Sequence, residues 1–513
     1  MTTQTGSATA DALTALSTQP LHWTTDAASA GGGPPLEHAV LEVPRDYADP
    51  AGERLTLAVS RLRAADPARR RGVLLAVNGG PGGDWGQGVR MPSRFAGTPV
   101  HEVYDVIGFD PRGTGASTPL HAEVVAARAP FDSRPADDAF PLLAEDMRRR
   151  EEGCRRGGGT LRPHISTRNT ARDMDLLRAV LGEERVTFVG YAYGAYVGAV
   201  FGSMFPGRLD RSVLDSCVGP HWTWREQFLR QGDAVLRNVR AWAGWTGARH
   251  RHFGLGRTTA EVLETVEGVA AALEQAAGDH RQRTLFDGAM GTRSTDRGQW
   301  EELGLLVGRL RSAAAEGDVD AVRGLLAGQT VWRPEDNAGE LRIGVLEAIT
   351  LEHEWPGDLE TYYADMREFR RRFPYGYGVL RAQPWVGAFR TFEPMEPPTR
   401  LERAGYPAGV VVQADGDPLD HYEGGAAMAE LLGHALITVE DSGEHEVYVL
   451  GGNPAVDEPV HRYLVSGELP APGLTVPGVT PRPGVPADDE RPADDERPDG
   501  ERPDDGERPD GER

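Results

Sequence analysis

Three short segments of this 513-residue chain carry residue types that suit acyl transfer. Gly190-Tyr-Ala-Tyr-Gly194 places Ala192 between two glycines where a strand is predicted to turn into a helix. Asp417 and His445 each follow a later predicted strand. An imidazole oriented by a carboxylate takes a proton from a nucleophile and returns it to a leaving group. The three segments therefore predict an acid–base pair beside a sharp turn.

Ala192 stands where a G-x-S-x-G turn would present its serine. Its methyl group cannot attack a carbonyl, so no acyl-enzyme is expected at this position. Three explanations remain open: a Ser→Ala replacement made by design, a natural binding protein that has lost activity, or an enzyme that works without a covalent step. Two nearby residues offer further alternatives. Cys217 could supply a thiol nucleophile, although a small buried thiol is the simpler interpretation, and Asp215 could replace Asp417 as the orienting acid.

The elements that must position these residues alternate between strand and helix. Short apolar runs predict six strands, at residues 71–77, 103–109, 186–189, 211–214, 409–413 and 435–439. A helix with Thr167 as its cap is predicted to precede the third strand, and another to follow the glycine-rich turn. This alternation predicts an α/β fold with a mostly parallel central sheet and helices on both faces.

Four regions are expected along the chain. Residues 1–20 have the composition of a flexible leader, and residues 21–220 and 400–470 form the α/β core. Residues 221–399 interrupt the strand rhythm with helical patterns (260–277, 300–315, 319–326 and 359–372), which predicts an inserted helical cap above the carboxyl ends of the strands. Residues 471–513, rich in Pro, Asp, Glu and Arg, predict a disordered tail.

Composition excludes several classes of function. The net charge of −23 disfavours nucleic-acid binding. The chain has no lysine, which excludes a Schiff-base or P-loop lysine. Two cysteines cannot build a disulfide framework or a cysteine metal site. No apolar run is long enough to span a membrane, and the first 20 residues lack the regions of a secretory signal. We therefore expect no cofactor, no metal, no nucleic-acid or membrane partner, and a cytoplasmic location.

With these segments in order along some 450 residues, the sequence resembles the tripeptidyl aminopeptidase and proline iminopeptidase-like serine peptidases of actinobacteria, which have the α/β-hydrolase fold. The segments that carry the resemblance are residues 43–50, 79–83, 108–119, 173–178, 190–194, 355–356, 417–418 and 463–470. Secreted members of this family carry cysteines at several positions where this chain has none, which agrees with a cytoplasmic location.

The resemblance implies roles for individual residues. Ala192 occupies the nucleophile position, His445 would be the base and Asp417 its orienting acid. The glycine-rich residues 78–83 would form the oxyanion loop, with the N–H groups of Gly80 and Tyr193 as the oxyanion hole. Cap residues Glu352 and Glu354 would recognise a substrate amine. Apart from the resemblance, several aromatic residues could line the pocket, although core packing is the simpler interpretation for most of them: Trp222, Trp224, Trp355, Tyr362, Tyr363 and Trp385.

The function expected from this resemblance is serine-type hydrolysis of an amide or ester bond in a short peptide or small metabolite. A non-covalent, non-hydrolytic biosynthetic enzyme and a silent binding protein are the alternatives. Keeping both Asp417 and His445 argues against the silent protein, because a pocket without chemistry needs neither.

Overall fold

The computed structural model describes residues 2–25, 34–82, 88–278, 280–329 and 338–489. Within these ranges ten strands form one sheet, in the order β1-β2-β3-β5-β4-β7-β8-β10-β11-β12, and β6 pairs with β9 in a separate ribbon. The strands are β1 Thr24–Thr25, β2 Glu37–Pro44, β3 Arg54–Leu62, β4 Gly72–Val77, β5 Tyr104–Phe109, β6 His121–Glu123, β7 Val186–Tyr191, β8 Leu209–Asp215, β9 Leu341–Ile343, β10 Val410–Ala414, β11 Ala435–Glu440 and β12 Leu474–Pro477.

Helices surround this sheet. They are α1 Thr2–Ser17, α2 Met91–Arg94, α3 Pro99–Val103, α4 Phe140–Gly158, α5 Thr167–Val180, α6 Tyr193–Met204, α7 Arg225–Gly247, α8 His250–Phe253, α9 Thr259–Ala277, α10 Arg281–Thr295, α11 Trp300–Glu316, α12 Val319–Leu326, α13 Val345–Thr350, α14 Leu359–Arg372, α15 Tyr422–Leu432 and α16 Pro454–Ser466. The cap of α5 is Ser166, whose hydroxyl accepts from Asn169 N, so the expected cap at Thr167 is wrong by one residue.

The expected α/β architecture is confirmed. From β5 to β12 the neighbouring strands of the main sheet run parallel, whereas β1, β2 and β3 add an antiparallel edge that the sequence analysis did not foresee. Alternate residues of a strand point to opposite faces. In β4, Leu75 packs with the cluster that includes α5 and α6, while Leu74 packs with the cluster that includes α3 and α16. Both faces of the central strands are therefore covered.

The strand order brings the ends of β4 and β7 together. The chain passes from β4 to β5 on one side and later returns to β7 on the other side, with Val77 paired to Gly190. The crevice at such a reversal is where open α/β sheets bind ligands. The residues that follow β4 and β7 are the glycine-rich segment and Ala192, so the topology gathers them at one place.

The expected helical cap lies between β8 and β10 and has a core of its own. Trp242, Phe286 and Trp300 are fully buried in it, at the packing of α7, α10 and α11. The bounds of α12 and α14 match the predicted ones. However, Ile349 and Trp355 belong to the cluster that covers the sheet. The segment around α13 therefore packs against the α/β core, because its apolar residues cover that face.

Two terminal expectations need correction. Residues 2–17 form a helix rather than a flexible leader, and Leu16 at its end is buried against the core. Past residue 470 the chain adds β12, parallel to β11, and Val485 packs against the cap cluster. The strand pairing of β12 and the apolar contact of Val485 therefore make this part of the chain belong to the fold. Its composition alone had predicted a disordered tail. Residues 490–513 of the expected tail lie outside the described ranges.

Membrane-spanning helices and metal-binding clusters are both absent from the described residues. No helix there is both long enough and apolar enough to cross a membrane. Nor do three or more His, Cys, Asp or Glu side chains gather there in an arrangement that could hold a metal ion.

Candidate active site

Ala192 lies at the tip of a tight turn between β7 and α6. Its backbone has φ 52° and ψ −120°, a strained conformation for a residue with a side chain. A Cβ on Gly190 would overlap the carbonyl of Gly194, and a Cβ on Gly194 would overlap the carbonyl of Val77. Only glycine fits on either side of this turn. The turn therefore holds residue 192 in a strained conformation at the end of the strand, as expected for a turn of the G-x-S-x-G type.

His445 and Asp417 form the expected pair. His445 Nδ1 lies 2.9 Å from Asp417 Oδ2 and 3.2 Å from Oδ1. The Asp417 carboxylate is buried and accepts from the backbone N–H groups of Leu419 at 2.9 Å and Asp420 at 3.0 Å. These backbone donors hold the carboxylate in place after β10, so it can orient the imidazole that follows β11.

Three carboxylates surround the imidazole. Burial lowers the pKa of His445, but the negative charges of Asp417, Asp420 and Glu446 outweigh burial and raise it to about 10. Asp420 Oδ2 lies 3.9 Å from His445 Nδ1. Burial, together with the neighbouring Asp417 charge, raises the pKa of Asp420. The surrounding carboxylates therefore favour the protonated form of the imidazole.

Asp215, the alternative orienting acid, has another task. Its carboxylate accepts from the backbone N–H groups of Tyr448 at 2.6 Å and Val447 at 3.2 Å. Its backbone carbonyl accepts from Ala192 N at 2.9 Å. Burial raises the pKa of Asp215 to about 7, against these hydrogen bonds. Asp215 thus joins the turn at Ala192 to the loop that carries His445, without contacting the imidazole.

Cys217, the alternative nucleophile, is fully buried. Its thiol donates to the carbonyl of Leu214 at 3.5 Å. Burial and the nearby carboxylates raise the pKa of the thiol well above its usual range. A neutral, enclosed thiol does not serve as a nucleophile, so Cys217 is a packing residue.

A cavity of about 670 Å³ opens over Ala192 and His445. Gly79, Gly80 and Tyr193 line it as well, so the structure brings the expected oxyanion residues beside the turn. Tyr193 is the first residue of α6, and the first N–H groups of a helix have no acceptor within it. Gly83 of the glycine-rich segment lies outside the described residues.

Asp110 and Arg112, in the loop after β5, make several contacts behind the site. Arg112 is buried and donates to Asp173 at 2.6 and 2.7 Å. The Asp110 carboxylate accepts from the backbone N–H groups of Val89 at 3.1 Å and Ala116 at 2.8 Å. These contacts tie the loop after β5 to the neighbouring elements.

The cap supplies the other wall of the cavity. Trp224 and Trp385 line it, as expected, together with Phe228 and Arg381, which the sequence analysis missed. The guanidinium of Arg381 lies over Tyr377 at 4.0 Å, and its Nε is buried without a hydrogen bond. Burial lowers the pKa of Arg381 to about 10. Across the described ranges no carboxylate forms an ion pair with Arg381, so the cap wall carries an uncompensated positive charge.

Six residues expected at the pocket do not line this cavity: Trp222, Glu352, Glu354, Trp355, Tyr362 and Tyr363. Tyr362 and Tyr363 pack in apolar clusters instead. Trp355 is buried and donates to the carbonyl of Thr350 at 2.8 Å. Trp222 packs against His421 instead. The Glu354 side chain is 95% exposed on the surface. Glu352 accepts from the backbone N–H at the start of α5, and burial raises its pKa to about 7. The structure therefore gives these side chains packing, surface and helix-capping roles.

Glu446 is a further lining residue that sequence reasoning missed. It directly follows His445, and its carboxylate faces the same cavity as Ala192. Its position next to the predicted base was the available signal. The direction of its side chain depends on a positive backbone φ of 66°. This conformation could not be predicted from the sequence.

Two family models and several curated proteins match this chain. A family described as "alpha/beta hydrolase fold" matches residues 72–292, and one described as "TAP-like protein" matches residues 379–476. The chain is 30% identical over 473 residues to a tripeptidyl aminopeptidase of Streptomyces lividans, covering 87% of this chain and 85% of that one. The serine protease Hip1 of Mycobacterium tuberculosis is 27% identical, covering 84% and 86%.

Solved structures include the proline iminopeptidase of Mycobacterium smegmatis, at 13% identity and a TM-score of 0.34, covering 83% of this chain and 97% of that one. The family matches and the relationship to the Streptomyces enzyme extend over the core, the turn at Ala192 and the segment that holds Asp417 and His445. The chain therefore belongs to the α/β-hydrolase family, among the relatives of tripeptidyl aminopeptidase.

Proposed function

We propose that the chain acts on an amide or ester bond of a peptide-like or small-metabolite substrate, at the cavity over Ala192. The observation that carries this is the Asp417–His445 pair, 2.9 Å apart, at the cavity that the strained turn also faces. The relatives are named as peptidases, which supports a peptide-like substrate.

In this proposal the scissile carbonyl lies above Ala192. The N–H groups of Gly80 and Tyr193 bind the oxygen as negative charge develops on it. His445 exchanges protons with the reacting groups, and Asp417 holds its ring and stabilises the imidazolium. Trp224 and Trp385 enclose the substrate and exclude water from one wall. No acyl-enzyme forms at Ala192, because alanine has no nucleophilic atom.

The test restores the missing hydroxyl. Ala192→Ser and the unaltered chain are treated with a fluorophosphonate and their intact masses are measured. We expect one adduct on the variant and none on the unaltered chain. His445→Gln in the serine background should abolish labelling, because serine then lacks its base.

A matched control places the same hydroxyl where it cannot react. Ala195 lies in α6, fully buried in the core, so Ala195→Ser should remain unlabelled. Failure of a folded Ala192→Ser variant to react would refute the proposal. Ligand binding and non-hydrolytic chemistry would then remain as the two alternative functions of the cavity.

A further inference from the structure

The carboxylate of Glu446 lies over the turn that presents Ala192. A Cβ built on Gly79 would be 2.7 Å from Ala192 Cβ and 3.1 Å from Glu446 Oε1. The methyl carbon and the carboxylate oxygen therefore both border the space beside Gly79 in the cavity wall. A carboxylate here is next to the position where a serine hydroxyl would meet the substrate.

The backbone holds Glu446 in this place. Its φ of 66° lies in the left-handed region, which is unfavourable for a residue with a side chain. Its N–H donates to Ser216 Oγ at 2.9 Å, and that hydroxyl donates to Asp215 Oδ1 at 3.0 Å. Residues that surrounding contacts hold in a strained backbone conformation are concentrated at active sites.

Glu446 has free lone pairs. Among the described residues no donor forms a hydrogen bond with its carboxylate. The charges of His445 and Asp417 shift its pKa, and its own charge raises the pKa values of Asp420 and Asp215. Burial raises the pKa of Glu446, with Asp417 acting in the same direction and His445 opposing it. A partly buried carboxylate of this kind accepts a proton from a bound water more readily than an exposed one.

We propose that Glu446 is the general base that activates a water molecule for direct attack on the substrate carbonyl, in place of a serine nucleophile. This inference rests on the proposed hydrolytic function. The water oxygen bonds to the carbonyl carbon and its proton passes to Glu446. When the tetrahedral intermediate collapses, the bond from carbon to the leaving nitrogen or oxygen breaks, and the leaving atom takes a proton from the His445 imidazolium.

The proton on Glu446 then passes to His445, which restores both groups. The net reaction consumes one water and needs no other reactant. The two groups have different tasks: the carboxylate accepts a proton, and the imidazole, whose protonated form the surrounding carboxylates favour, donates one.

The experiment measures hydrolysis of p-nitrophenyl acetate, butyrate and alanine esters by the unaltered chain. We expect steady turnover without a burst, because no acyl-enzyme accumulates. Glu446→Gln, which keeps the shape and removes the base, should lower kcat at least ~100-fold. Glu444→Gln makes the same change two residues away, where the side chain accepts from Thr480 at 3.4 Å, and should leave kcat unchanged.

A serine background separates the catalytic role from a structural one. In Ala192→Ser the hydroxyl supplies its own route, so adding Glu446→Gln should cost little there. The unaltered chain offers a second readout that needs no variant at position 446. Its kcat should rise with pH as Glu446 ionises, because only the carboxylate form accepts the proton of the water.

Two results would overturn the inference: undiminished turnover by Glu446→Gln, or no turnover of any of these esters above the uncatalysed rate by the unaltered chain. If Ala192→Ser still reacts with the fluorophosphonate, either result leaves the proposed hydrolytic function standing.

Discussion

Replacing Asp417 by Asn tests the electrostatics at the centre of the site. Asp417 Oδ2 lies 2.9 Å from His445 Nδ1, and its carboxylate is buried. Opposite charges about 4 Å apart interact by about 4 kcal/mol at an effective dielectric constant of about 20, which corresponds to about three pKa units. Asp417→Asn should therefore lower the pKa of His445 from about 10 to below about 8, with Asp420 and Glu446 still present.

The assay is a pH titration by NMR with ¹⁵N-labelled histidine rings, in which His445→Gln identifies the His445 signals. Asp415→Asn is the matched control, because the Asp415 carboxylate accepts from the backbone N–H groups of Asp441 and Ser442 and does not contact the imidazole. An unchanged titration of His445 near pH 10 in Asp417→Asn would refute the assignment of Asp417 as its dominant partner.

The same shift predicts a pH dependence of stability. The folded pKa of His445, about 10, lies above its ordinary value of 6.5. Its protonation therefore stabilises the fold fully below pH 6.5, and this contribution is lost as the pH rises through about 10. The full shift corresponds to at most about 5 kcal/mol. In urea unfolding, the advantage of the unaltered chain over Asp417→Asn should shrink between pH 6 and pH 10.

Two further predictions concern the turn and the cap. Ala192→Gly should stabilise the fold by ~1 kcal/mol in urea unfolding, because glycine removes the strain at φ 52°. Ala195→Gly, the same change inside α6, should instead destabilise the fold by ~1 kcal/mol. Changes of the same sign in the free energy of unfolding of the two variants would contradict this explanation. In the Ala192→Ser background, Arg381→Met should raise the KM for the anionic ester mono-p-nitrophenyl succinate at least ~10-fold. The KM for the neutral ester p-nitrophenyl butyrate should not change, because the substitution removes only the positive charge of the cap wall. Arg371→Met, an exposed cation on α14, is the control, and equal effects on both esters would contradict the role of Arg381.

Much of the fold could be predicted because it is encoded locally. The apolar run in β4 and the glycines around Ala192 reflect contacts between near neighbours, and these elements lie where the sequence indicated. The bounds of α14 were predicted for the same reason. Composition was a weaker guide: Leu16 and β12 belong to the ordered structure because they meet apolar surface or a strand edge far away in the sequence.

In the candidate site, too, local sequence determines some features and long-range packing determines the others. By itself the sequence determined the turn at Ala192 and the order in which Asp417 and His445 follow it, since strand ends and short turns depend on adjacent residues. Only the tertiary structure decided that Glu446 faces the turn, through a hydrogen bond to Ser216, 230 residues earlier. It likewise placed Arg381, and not Glu352, at the cavity. The lining of a cavity is set by long-range packing, which residue types and spacing do not specify.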